Sequence, residues 1–461
     1  MKGFKSRDVT SLGHQIRGEV FTRGTHGYRR EVSGFNLLTA SSPDLVVVPE
    51  DEADVQAILR WAAEHDCTVH PQATGHGAYR PLEAGMLLKT TRLNRLAIDQ
   101  EAQRFTVGAG LTWQDVVPEL HAAGLMAVSG SAATVSVVGL LLGGGIGPLS
   151  RTLGVASDYA ESFRVVNAAG EVLVADAEHH PDLFWALRGG KVGLGVVTEA
   201  TVRAVPLSHV YGGGLFFGAE DMDRLAHAWL DWVTDLPDAV NSSIAFLRLP
   251  PEAPGPLGGA TVLHLRFAYV DIEASHDELR DQGEAYLAPL RALGTPIIDT
   301  IGLLPGDRLA EIHADPTDPV PVWEWGDMLE SADHDLIEHL VGQVGGKAQS
   351  VLTAVELRRL GGALVRDDLS PSAVGGTRAA FSLLVLGVAI KPVAPLVAVE
   401  TAGHMIRDLV QPWSASEINY HWAGYPTPEV FINRLWPAET AERLSEVRSR
   451  YDPNRLFEFG N

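Results

Sequence analysis

Three glycine-bearing loops lie within the stretch 73–195 and constrain this chain more than any other feature. They are Ala73-Thr74-Gly75-His76-Gly77, Gly143-Gly144-Gly145-Ile146-Gly147 and Arg188-Gly189-Gly190-Lys191-Val192-Gly193-Leu194-Gly195. A main chain approaches a large polar group closely only where Cβ is missing. One such loop is ordinary. Three in succession predict a backbone cradle for a sizeable ligand.

The surrounding pattern is one of short alternating units. Val46-Val47-Val48 is a β-branched run ending at Pro49, and Val55, Ile58, Leu59 and Ala62 then recur on one helical face. Thr68 to His70 begins a strand that runs directly into the first glycine loop. Further strands are predicted at Met86–Lys89 and Phe105–Val107, and a helix over Trp113–Ala123. Phe163–Val166 and Val172–Ala175 flank a hairpin turn, Pro181–Leu187 reads as a short helix, and Gly195–Val205 as a last strand.

The character changes after Pro206. Ser243–Leu249, Thr261–Tyr269, Val351–Arg358 and Phe381–Ile390 alternate at the period of a strand, and Met222–Leu236 is amphipathic at the period of a helix. Proline-rich connections fall at 250–256 and 315–322. A second domain of antiparallel sheet with helices is expected over 208–408. A tail, 409–461, contains a helix over Glu439–Arg450 that Pro453 stops. The fold class is therefore α+β, with domains over 1–207 and 208–408 and the segment 409–461 returning to the first.

Composition narrows the function classes. The 461 residues carry a net charge of -22, which disfavours nucleic acid or an anionic membrane as partner. Cys67 is the one cysteine, so no intramolecular disulfide can form. Met1 to Arg7 is basic but no apolar run follows, and Phe381 to Ile390 is too short to span a bilayer. A cytoplasmic protein, monomeric or homodimeric, is the expectation.

Gly143 to Gly147 superficially fits a dinucleotide fingerprint. It lies mid-chain, however, and neither Glu161 nor Glu171 closes the second strand that the fingerprint requires. His76 between two glycines would, taken alone, be a loop residue without a role.

The order of motifs is more specific. Val46-Val47-Val48-Pro49, Gly75-His76, Gly143 to Gly147 with Ser150-Arg151, Asp182-Leu183-Phe184-Trp185-Ala186-Leu187-Arg188-Gly189-Gly190, Gly195-Val196-Val197-Thr198 and Tyr451-Asp452-Pro453 follow one another along the chain. In this order they resemble the vanillyl-alcohol oxidase (PCMH-type) flavoproteins, in the berberine-bridge-enzyme-like branch. The resemblance covers the first 205 residues and the last fifty well and the middle thinly. It implies a two-domain PCMH-type FAD-binding fold, with FAD joined covalently to His76. The first loop departs from the usual Arg-Gly-Gly-Gly-His-Ser, since Gln72-Ala73-Thr74 precede Gly75-His76-Gly77. Where many relatives carry a second flavin-linking cysteine, this chain has Ala132, so the resemblance implies a single covalent bond.

The same resemblance implies that the cofactor contacts come from Ala73, Thr74, Gly75, Gly77, Ser129, Gly130, Ser131, Ala132, Ala133, Gly139, Gly144, Gly195, Val196 and Val197. Where the family has a Gly-Gly-Asn-Phe-Gly run, this chain has Lys191-Val192-Gly193-Leu194-Gly195, which departs at Lys191 to Leu194. On the second domain, alternation puts Ala354, Glu356 and Arg358 on one strand face, which is either an exposed edge or the wall of a polar pocket. In the pocket case Glu356 is a candidate base and Arg358 a partner for substrate or flavin charge. Glu417-Ile418-Asn419-Tyr420-His421-Trp422 falls where relatives carry Tyr-x-Asn. Tyr420 is a candidate base or relay, with Asn419 or His421 in the asparagine's place. Trp323 and Trp325 either face substrate or pack.

The activity so implied is that of an oxidase. It would take a hydride from a small alcohol, amine or secondary metabolite and reduce O2 to H2O2. A flavin-dependent dehydrogenase or oxidative cyclase is the alternative, and a binder that has lost catalysis a third reading.

Overall fold

The structure, a computed structural model, describes residues 6–366, 370–424 and 433–457. The basic Met1 to Lys5 therefore lies outside the described residues. Three sheets form the framework.

The first sheet has the order β1-β2-β4-β3, with β1 (Glu19–Thr22), β2 (Leu45–Val48), β3 (Val69–Gln72) and β4 (Met86–Lys89). β2, β4 and β3 run parallel, and every residue of β2 and β4 is buried. A strand covered on both faces needs a continuous apolar run, which Leu45–Val48 supplies. The helix Glu52–Glu64 makes the crossover, capped by the Asp51 side chain accepting from the Asp54 amide at 3.0 Å. β3 then delivers the chain to His76.

The second sheet is antiparallel, in the order β5-β6-β9-β7-β8. Its strands are β5 (Leu96–Asp99), β6 (Arg104–Gly108), β7 (Ala160–Val166), β8 (Val172–Asp176) and β9 (Val196–Arg203). The helices Trp113–Ala122 and Val137–Leu141 lie between β6 and β7, and the second glycine loop follows the latter. The third glycine loop ends where β9 begins.

The third sheet starts only at β10 (His209–Gly218), so the change of character at Pro206 coincides with a change of sheet. It continues through β11 (Val240–Arg248), β12 (Thr261–Tyr269), β13 (Ile298–Asp299), β14 (Gly302–Pro305), β15 (Val322–Leu329), β16 (Ala354–Arg359) and β17 (Phe381–Val388). The path is β13-β10-β12-β11-β16-β17-β15, with β14 also on β10, and all pairs are antiparallel. Helices Met222–Thr234, His276–Arg291, His334–Val344 and Leu396–Leu409 belong to this unit. They cover one face: Trp229 meets Phe381 edge-on at 6.3 Å, and Gly403 lies flat against the Trp323 ring. Trp323 and Trp325 are thus packing residues, both buried on that side.

The tail binds the parts together. Its helix Ala438–Tyr451 packs on the helix Pro181–Leu187, and Arg448 donates to the carbonyls of Gly190 (2.8 Å) and Val192 (3.1 Å) in the third glycine loop. Arg434 pairs at 2.6 Å with Asp327 of β15, whose carboxylate is wholly buried and also accepts from Ser414 at 2.6 Å. Among the described residues no helix is long and apolar enough to cross a membrane.

Removing Asp327 takes the buried carboxylate from Arg434, which keeps the Ala415 carbonyl and about a fifth of its side-chain surface in water. Asp327→Ala is expected to lower unfolding free energy by about 1.5–3 kcal/mol, measured as a lower urea midpoint.

Candidate active site

The first and third glycine loops, Ile146 of the second and one face of the third sheet line a cavity of about 640 Å³. Of the residues expected to bind cofactor, Ala73, Thr74, Gly75, His76, Gly77, Gly130, Ser131, Ala132, Gly139, Gly195 and Val197 line it. Glu356, Arg358 and Tyr420 line it too. Residues from both lobes and the tail therefore meet at one place.

Five expected residues stand behind the wall instead. The Ser129 carbonyl abuts Gly147, where a Cβ would come within 1.9 Å of it. Ala133 offers its carbonyl to the Gln114 amide at 2.8 Å. Gly144, at φ +101°, packs on the Val374 side chain. Val196 alternates with Val197 and points into the core. Asn419 is fully buried, donating to the Gly375 carbonyl and accepting from the His421 amide, both at 3.1 Å. It shapes the turn that presents Tyr420.

The cradle is legible in its unpaired donors. Among the described residues, the backbone amides of 74–77 and of 130–134 donate to no protein group. Two runs of successive free N–H groups form concave sites for negative charge. Gly75 permits this at φ +77°, where any Cβ would also lie 2.8 Å from Gly34 Cα.

His76 lies at the rim with its ring stacked on Phe35, centroids 3.6 Å apart. Nε2 is 2.8 Å from the Thr134 hydroxyl. Burial lowers its pKa to about 4, only partly offset by the charge of Asp315, so the imidazole is neutral at pH 7. In the tautomer whose Nε2–H donates to Thr134, Nδ1 carries the lone pair.

On the sheet, Thr353, Ala354, Glu356 and Arg358 face the cavity, whereas Val355 and Leu357 are buried behind. β16 is an interior strand, so the pocket wall and not the exposed edge is the outcome. Glu356 is held on both sides: Arg266 of β12 contacts Oε2 at 2.8 Å, and Arg358 Nε contacts Oε1 at 2.9 Å. His313 stands 3.5 Å from Oε1, and its Nε2 accepts from Arg358 Nη2 at 2.8 Å. Burial alone would raise the Glu356 pKa, but Arg358, Arg266 and His313 hold it well below the usual carboxylate range. A carboxylate with both oxygens engaged by guanidiniums is a poor proton acceptor, which alters the expectation for Glu356.

A better acceptor was missed in the sequence. Glu324 of β15 sits between Trp323 and Trp325 and therefore points the opposite way, into the cavity. Its Oε1 accepts from the Tyr79 hydroxyl at 2.7 Å. Burial raises its pKa to about 7, with Asp315 adding to the rise and Tyr79 opposing it.

Lys191, in the third loop, lines the cavity and hydrogen-bonds the Gly139 carbonyl, with its ammonium 5.6 Å above the Tyr420 ring. Burial brings it down to about 8. Burial also raises Tyr420, so its phenol stays protonated at neutral pH. Ala132 lines the cavity, whereas Cys67 is buried in the turn before β3 with its thiol pushed up to about 12 by burial.

A family described as FAD binding domain matches residues 43–176. The (R)-6-hydroxynicotine oxidase of Paenarthrobacter nicotinovorans is 28% identical over 302 residues, or 65% of this chain and 64% of that protein. Alignments with three other FAD-linked oxidoreductases span about half of those proteins, 53%, 45% and 50% of their lengths. In fold, the chain is similar to 6-hydroxy-D-nicotine oxidase from Arthrobacter nicotinovorans, at a TM-score of 0.81 and 23% identity over 96% of this chain and 97% of that one. It is as similar to the BBE-like 1 protein of Physcomitrella patens, at 0.81 and 16% identity over 98% of each. Residues 43–176 thus match an FAD binding domain, and the chain has the fold of 6-hydroxy-D-nicotine oxidase and of BBE-like 1.

Proposed function

We propose that this protein carries FAD in the cavity, bound covalently through His76 alone, and oxidises a small organic molecule with O2 as the final acceptor. The observation that carries this reading is the neutral His76 ring, with Nδ1 unshared, beside two runs of unpaired amides. The bound flavin would supply hydride acceptance at N5 and the reduction of O2 to H2O2.

The chain's own residues fit that group. The amides of 74–77 and 130–134 suit the pyrophosphate and the polar chain of the cofactor. Lys191 adds a buried positive charge that the first loop lacks, since its usual arginine is absent. The Thr134 hydroxyl and the Phe35 ring fix the imidazole, so that Nδ1 is the nitrogen that bonds carbon. Ala132 offers no sulfur for a second bond.

Glu324 and Tyr79 are assigned the proton. A buried carboxyl poised near pH 7 is matched to removing a proton from an O–H or N–H. Tyr79, held well above its usual range by burial and by the Glu324 carboxylate, remains a donor. Tyr420 stays a neutral hydroxyl against which Lys191 rests. Glu356 and Arg358 form part of the substrate wall.

Acid precipitation of the purified protein is expected to leave yellow flavin in the pellet. In His76→Ala the colour should pass to the supernatant. Colour released from the unaltered protein would defeat the covalent assignment. H2O2 formed in step with substrate consumption under air is the expected mark of an oxidase, and turnover only with an added electron acceptor would point to a dehydrogenase.

Glu324 gives a second test with two readouts. Its unfolded pKa is near 4.5 and its folded pKa about 7, so between these the folded state keeps a proton that the unfolded chain has lost. Stability should therefore fall as pH rises from 4.5 to 7, and Glu324→Gln should remove that part of the slope in Tm. The same variant should lose the rise of kcat/KM through about pH 7 and drop in kcat by about 10²–10⁴-fold.

A further inference from the structure

The polar groups at one end of the sheet face do not balance. Arg266 and Arg358 bring two guanidiniums against the single carboxylate of Glu356. Burial and the neighbouring guanidiniums lower His313 to about 4, and burial with Arg266 holds His264 well below its usual range, so both imidazoles are neutral. His264, stacked on Phe216 at 3.9 Å, spends its Nδ1 on Arg266 Nε at 3.2 Å. The cluster thus carries one net positive charge while nearly dry, with Arg266 6%, Arg358 8% and Glu356 6% exposed. An unbalanced buried charge is costly unless a partner arrives. Arg358 Nη1 and His313 Nδ1, moreover, have no hydrogen-bond partner among the described residues.

Arg266, Arg358, His313 and Glu356 all line the large cavity. Along the same sheet face the wall then turns apolar, through Ala245, Leu247, Ala354, Leu384 and Leu386. Taken together, these surroundings describe the two parts of one ligand.

We propose that the Arg266–Arg358 cluster seats a carboxylate of the substrate, whose apolar body lies along the neighbouring sheet face. The proposal rests on the cavity being the substrate site of a flavoenzyme, as inferred above. One net charge matches a monoanion, and a planar guanidinium fork matches a carboxylate. A dianionic phosphate would leave the cluster net negative. The substrate class is therefore an aromatic or aliphatic acid carrying an oxidisable C–H next to O–H or N–H. The other anion able to use this charge is the reduced flavin itself.

Benzoate serves as the probe, with benzamide and benzyl alcohol as uncharged counterparts, titrated calorimetrically into the purified protein at constant chloride. Benzoate should bind saturably at one site, and the neutral pair at least tenfold more weakly; this comparison needs no variant. Arg358→Gln should weaken benzoate at least tenfold. Glu356→Gln, which removes the compensating negative charge, should tighten it severalfold, a change that a damaged site would not produce. Equal binding of benzoate and benzamide, or weaker benzoate binding in Glu356→Gln, overturns the proposal. So does an Arg358→Gln protein that binds benzoate normally but whose flavin potential has fallen, because the charge would then serve the cofactor. The absorption spectrum separates the two readings. A colourless protein that still prefers benzoate fails as a flavoenzyme but keeps the anion site, and a yellow one without preference does the reverse.

Discussion

Backbone amides that donate to nothing within the protein set the terms for the rest of this structure. An N–H that finds no protein partner is left to water or to a ligand, and successive ones along a cavity wall suit a group of negative charge. Residues 74–77 and 130–134 form two such runs side by side, joined where His76 meets Thr134 at 2.8 Å, and 74–77 and 130–132 line one cavity. Each is held from behind by ordinary structure. β3 leads into the first, and the carbonyls of Ala132 and Ala133 are tied to the amides of Val135 and Gln114 beneath the second. Arg448 fastens the third glycine loop from the tail. The cradle is rigid because its carbonyls are paired, and receptive because its amides are not.

The lid over that cradle follows from a simpler rule. Alternation along a strand gives the third sheet one face for its helices and one for the cavity. On β15 the rule places Trp323 and Trp325 in the core and Glu324 in the cavity, and on β16 it places Val355 and Leu357 behind and Glu356 and Arg358 in front. Register then joins residues remote in sequence. Arg266 pairs with Ser243, and Ser243 with Arg358, so the two arginines stand in one row across β12, β11 and β16. The ion pairs to Glu356 are consequences of that row.

Much of this was readable in the sequence, and what was not has an identifiable cause. Met86–Lys89, Thr261–Tyr269 and Pro181–Leu187 have the bounds that their apolar patterns and flanking residues predict. Glu19–Thr22 escaped notice because four residues with one buried neighbour strand carry no pattern of their own. The loop residues of the cavity wall were legible through glycine. The Arg266, His313 and Glu324 side chains were not, since each gains its meaning from a neighbour tens of residues away. One signal for Glu324 was present: a carboxylate between two tryptophans at period two must face away from whatever they pack against. His313 and Asp315 sit at the start of a proline-rich connection that reads as a mere linker, although it forms part of the cavity wall.

The cavity's two buried glutamates show how placement decides chemistry. Glu356 and Gly326 share a row, and Glu324 lies two residues from Gly326 on the same face, two strands across from Glu356. With strands about 4.8 Å apart and a rise of about 3.4 Å per residue, their Cα atoms stand roughly 12 Å from each other. At that distance Glu324 receives little from the arginines that keep Glu356 ionised, and burial governs it instead. One sheet therefore presents a permanent charge and a titrating acid along the same apolar strip. Identical side chains have been assigned opposite tasks by their neighbours, one to hold a ligand's charge in balance and the other to exchange a proton.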